Sequence, residues 1–158
     1  MKQKTYLVSI LALIAAALFS TTLIHAESTS DTEANWITDF DAAKAKAKAD
    51  GKPMLLNFTG SDWCGWCIKL DKEVFSKAAF QTYASENLVL VELDFPRNKE
   101  QSEETKAQNE ALAKKYGIRG FPTILVLDSE GKLIEKTGYR RGGAEKYVEH
   151  LSGIIAGK

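Results

Sequence analysis

Cysteine is scarce in this 158-residue chain, confined to Cys64 and Cys67. Structural zinc usually takes four protein ligands, and beyond this pair only His25 and His150 offer a ring nitrogen, so a closed zinc site is disfavoured. No cysteine lies near Ala26, which excludes lipid attachment at that boundary. An excess of charge is missing too, because 21 Lys and Arg face 21 Asp and Glu. Without a basic surplus the chain lacks the electrostatic footprint of a nucleic-acid binder. There is no internal repeat and no low-complexity tract, and the length suits one domain with a full core.

One long apolar run is present, Tyr6 to Phe19, preceded by Lys2 and Lys4 and followed by the short tail Thr22 to Ala26. This is the layout of a secretory signal peptide over residues 1–26, with cleavage expected after Ala26. An uncleaved membrane anchor is the alternative, although the run is short for a bilayer. Cleavage removes two lysines and no acid, so 21 basic side chains become 19 against 21 acidic ones, a net charge of about −2. Export also delivers the cysteines to surroundings where disulfides form and persist. Residues 27–35 are mostly polar and read as a flexible lead-in to a folded domain over 36–158.

Within that domain, Thr38 and Asp41 resemble a capping pair for a helix burying Phe40, Ala43 and Ala47, stopped by Gly51 and Pro53. Met54 to Phe58, interrupted only by Asn57, has the pattern of a buried strand. A helix after Cys64 buries Ile68 and Leu70, with a kink expected near Val74 and Phe75 and a second segment capped by Ser76. Leu88 to Phe95 reads as another buried strand, ended by Pro96 and a charged loop. A helix over Glu104 to Tyr116 stops at Gly117. Phe121 to Leu127 and Lys132 to Thr137 are strands about the turn Asp128-Ser129-Glu130-Gly131, and a last helix follows Gly142 and Gly143. The expected fold is α/β: one mixed sheet of about four strands, two parallel through a right-handed crossover and then an antiparallel hairpin, with helices on both faces.

The stretch Trp63-Cys64-Gly65-Trp66-Cys67 sits between the first strand and its helix. At this spacing one helical turn brings two sulfurs within bonding distance. The helix start favours a thiolate at Cys64 and should lower its pKa, while Cys67, further in, suits the resolving role. A structural bridge and half of a metal site are the competing readings. A bridge closing so short a loop removes little entropy from the unfolded chain.

Two separated motifs then carry a resemblance. Trp63 to Cys67 is similar to the WCxxC site of the thioredoxin superfamily, and Tyr116-Gly117-Ile118-Arg119-Gly120-Phe121-Pro122-Thr123 to its YGIRGxPT segment. The similarity extends over roughly Trp36 to Ile155, and the Gly60 to Trp63 lead-in resembles exported bacterial members. The resemblance implies a thioredoxin fold, Cys64 and Cys67 as the redox pair, and a cis bond at Pro122 facing them. It also implies that Phe121 touches substrate or tunes the thiolate, with Trp63 and Trp66 offering an apolar docking surface. Two departures stand out. Trp66 replaces the proline of thioredoxin before the second cysteine, and Asn57 occupies the place of a buried aspartate that accepts the proton of the resolving cysteine. An amide cannot take that proton at neutral pH, which leaves a water, Glu92 or Asp94 as candidates.

The first functional expectation is an exported thiol:disulfide oxidoreductase acting on disulfide-containing or dithiol proteins, as a monomer, without cofactor or metal. Working as a reductase outside the cytoplasm, it needs a membrane partner for electrons. The alternative is a binding or chaperone-like module with little turnover, which Asn57 favours. A peroxide-reducing enzyme of the same fold is a third reading.

Overall fold

A computed structural model describes residues 34–157. The expected export segment and residues 27–33 of the lead-in lie outside the described residues. Ala34, at the end of that lead-in, is buried among core residues. Among the described residues no helix is long and apolar enough to cross a membrane.

The elements are β1 (Trp36–Ile37), α1 (Phe40–Asp50), β2 (Met54–Thr59), α2 (Gly65–Leu70), α3 (Ala78–Asn87), β3 (Val89–Asp94), α4 (Glu103–Lys115), β4 (Thr123–Leu127), β5 (Leu133–Thr137) and α5 (Gly143–Ala156). They form one five-stranded sheet in the order β1-β3-β2-β4-β5. β1 and β2 both run parallel to β3, while β4 is antiparallel to β2 and to β5. The sheet is thus the expected mixed one with an extra edge strand, since β1 is too short to show a periodic pattern.

β2 is the central strand and is buried at every position, which explains its nearly continuous apolar sequence. Alternation along the strands divides the core in two. Leu55, Leu90, Ile124 and Val126 face Leu70, Val74, Phe80, Tyr147 and Leu151 of the α2, α3 and α5 side. Met54, Leu56, Phe58, Val91 and Leu125 face Phe40, Ala43, Ala47 and Leu112 of α1 and α4. Asn57 and Thr59 of β2, with Glu92 and Asp94 of β3, continue the first of these faces.

Local details depart from the expected caps and burial: Ile68, expected in the core with Leu70, stands 48% exposed on α2. Asp39, not Thr38, begins α1: its backbone is extended and its carboxylate accepts the Ala42 N–H at 3.0 Å. Gly51 ends that helix in the left-handed region at φ 65°, as expected for a C-terminal stop. The kink foreseen at Val74 and Phe75 is a π-helical turn over Asp71–Phe75. The extra residue in the turn lets Leu70, Val74 and Phe75 all face the core. Ser76 does not cap α3; its hydroxyl instead donates to Asp71 Oδ2 at 3.1 Å.

Candidate active site

β2 ends at Thr59, and a loop of four residues leads to Cys64 at the start of α2. Cys64 has extended backbone and serves as the N-cap, its sulfur accepting the Cys67 N–H at 3.3 Å. Cys64 and Cys67 form a disulfide, with Cα atoms 5.2 Å apart. Both residues are buried, at 7% and 5% exposure, so Cys67 is only slightly more sheltered than Cys64.

The loop before them is held from the β3 end. Asp94 accepts from the Ser61 N–H at 2.8 Å and from its hydroxyl at 2.6 Å. Asp62 accepts from the backbone N–H groups of Arg97 and Asn98, and these bonds hold its carboxyl below the usual range. The Trp63 indole donates to the Phe95 carbonyl at 2.7 Å, and the Arg97 guanidinium lies 3.8 Å from that ring. Gly60 is required beneath the indole, since a Cβ there would come within 2.5 Å of Trp63 Cε2.

The second motif arrives from the other side of β2. Phe58 pairs with Thr123 at the start of β4, so Pro122 follows at the level where β2 gives way to the cysteine loop. The Phe121–Pro122 bond is cis. Phe121 packs edge-on to Trp63 with centroids 5.9 Å apart and lies 5.0 Å from Phe95. Trp66 stands 54% exposed on α2, tilted against Tyr139 at 5.1 Å, with Lys69 Nζ 5.2 Å from its ring. The Tyr139 hydroxyl donates to Glu73 at 2.7 Å, which raises the pKa of the phenol.

A disulfide-bonded pair capping a helix, level with a cis-proline strand entry and set in a parallel–antiparallel sheet, now meets an independent match: the thioredoxin-like domain profile covers residues 40–151. The chain belongs to the thioredoxin-like family. Over 109 residues it is 38% identical to the disulfide bond reductase DsbH of Chlamydia pneumoniae, covering 69% of this chain and 66% of that one. Over 129 residues it is 33% identical to the thioredoxin-related protein DsbJ of Chlamydia pneumoniae, covering 82% of this chain and 37% of that one. The chain therefore spans just under two thirds of the first relative and little more than a third of the second. A solved DsbH oxidoreductase superposes with a TM-score of 0.75 at 35% identity, covering 78% of this chain and 85% of that one.

In this thioredoxin-like domain the fold brings Trp63, Cys64, Cys67, Phe121 and Pro122 to one end of the sheet. Gly65 is exposed at the first position of α2, and a Cβ there would meet nothing within 4 Å. Asn57 is 7% exposed on β2, between Glu92 and Ile124 of its neighbours. Its buried Oδ1 has no hydrogen-bond partner among the described residues. Gly60, Arg97, Glu73 and Tyr139 were not foreseen. Arg97, Glu73 and Tyr139 meet the site through contacts between distant parts of the chain, whereas Gly60 meets Trp63 only three residues on, where the loop folds the indole back over it.

Proposed function

We propose that the chain is an exported thiol:disulfide oxidoreductase that acts on protein disulfides through a reversible Cys64/Cys67 couple. The observation that carries this reading is the bonded cysteine pair at the start of α2, with the Cys67 N–H directed at the Cys64 sulfur. That N–H, shared with the Cys64 carbonyl at 3.0 Å, and the first N–H groups of α2 favour negative charge on Cys64 when the bond is reduced. Cys64 attacks a substrate disulfide, and Cys67 then displaces the substrate from the mixed disulfide. Trp63, Trp66, Phe121 and Pro122 form the surface that receives the substrate chain.

The reducing direction is the one proposed, since the DsbH relative carries the name of a reductase. A reductase working after cleavage of residues 1–26 meets no assured thiol pool outside the cytoplasm, so electrons come from a membrane-bound dithiol partner. The test is catalysis of insulin disulfide reduction by dithiothreitol. The wild-type protein accelerates it, Cys64→Ser returns it to background, and Cys67→Ser accumulates a mixed disulfide with insulin. Wild-type protein that binds insulin without accelerating its reduction would establish the binding-module alternative, which the missing acid at Asn57 favours.

A further inference from the structure

Resolution by Cys67 requires that a buried thiol lose its proton, and burial alone makes that loss harder. Asn57 does not accept it, since an amide has no basic site at neutral pH. The neighbouring strand supplies a carboxylate instead. Glu92 pairs in register with Asn57 and shares its face of the sheet, the face covered by α2. A cleft of about 340 Å³ is lined by Cys67, Ile68 and Asp71 on one wall and by Thr59, Ser61, Glu92 and Lys99 on the other. We propose that Glu92 takes the proton of Cys67 through water in this cleft when the mixed disulfide is resolved, so that the acid missing from β2 is replaced from β3.

The other carboxylates near the cleft are engaged. Both oxygens of Asp94 accept from Ser61, and Asp71 is exposed and accepts from Ser76. The Glu92 carboxylate is half-buried and makes no hydrogen bond or ion pair among the described residues. Burial, then the charge of Asp94 and, more weakly, that of Asp71 hold its pKa above the ordinary value, against the opposing charge of Lys99. These are the charged groups facing it, with Cys67 from α2; β2 contributes only the neutral Asn57 and Thr59. A raised carboxyl pKa narrows the gap to a thiol and makes proton transfer between them more effective.

This inference rests on the oxidoreductase reading. The Cys64 thiolate attacks a substrate disulfide, bonding to one sulfur and releasing the other as a thiolate. Cys67 passes its proton through water to the Glu92 carboxylate and attacks the Cys64 sulfur. The Cys64–Cys67 bond forms, the Cys64–substrate bond breaks, and the second substrate thiolate leaves to be protonated by solvent. Glu92 returns its proton to water. The substrate has gained two electrons and the cysteine pair has lost two.

Stopped-flow reaction of the reduced protein with one equivalent of dithiobis(nitrobenzoate) separates the steps, because coloured thionitrobenzoate leaves once on attack by Cys64 and again on resolution by Cys67. Glu92→Gln is expected to leave the first release unchanged and to slow the second about a hundredfold at neutral pH, the low end for positioned acid–base groups. It should also abolish the fall in the second rate as acid protonates Glu92. Asp71→Asn should alter neither release. The substitution removes a half-buried charge and does not threaten folding, which the unchanged first release verifies. An unaltered second release in Glu92→Gln, or an equal loss in Asp71→Asn, would overturn the assignment to Glu92 alone. Absence of the first release in the wild type would instead overturn the oxidoreductase reading, and this inference with it.

Discussion

At the residue scale the site depends on close contacts that only the folded chain makes. Gly60 is the sharpest case. Gly60→Ala would drive a methyl group into the Trp63 indole, which is fixed by the Phe95 carbonyl, Arg97 and Phe121. The expected cost is about 1–3 kcal/mol, read as a lower midpoint in urea unfolding. Cys64 should titrate below the ~8.5 of a free cysteine once the pair is reduced, because α2 directs the Cys67 N–H at its sulfur. Thiolate absorbance against pH measures this, and a normal or raised value would count against a nucleophile at the helix start. The cysteine spacing and the Phe121-Pro122 motif were legible because their meaning is local. Gly60 and Tyr139 were not, since their importance arises only when Trp63 and Trp66 fold onto them.

At the element scale, periodicity exposed every long helix and the four longer strands, while the ends shifted by a residue or two. β1 escaped because Trp36 and Ile37 give alternation too little length to register. The caps were less legible than the helices, as neighbouring polar residues compete for the same orphan N–H groups. Thr38 lost to Asp39, and its carbonyl instead accepts from Gln108 of α4. Ser102 caps α4 by accepting the Thr105 N–H at 3.2 Å. Ser102→Ala should therefore lower the unfolding free energy by about 1 kcal/mol without changing insulin reduction, since α4 packs on the face opposite α2.

At the scale of the whole molecule, the Glu92 environment has a cost visible in stability. Its folded pKa is raised, so the native state binds more protons than the unfolded state between the unfolded carboxyl value, about 4.3, and the higher folded value. Stability must fall as pH rises through that window, and the penalty is absent below it and complete above it. Glu92→Gln should accordingly gain stability relative to wild type at neutral pH and lose that advantage in acid, as urea unfolding at the two extremes would record. Redox poise is likewise a property of the entire fold. In a reductase the native structure favours the bonded cysteines, so the oxidised form should unfold at higher denaturant than the reduced one; the opposite order would point to disulfide donation.

The helix that carries the cysteines has two unlike flanks. Trp66, Lys69 and Glu73 project toward Tyr139, while Ile68 and Asp71 border the cleft that reaches Cys67. A polypeptide gripped along the aromatic flank leaves the other flank wet, and hydrogen ions can drain sideways while the client is still held in front.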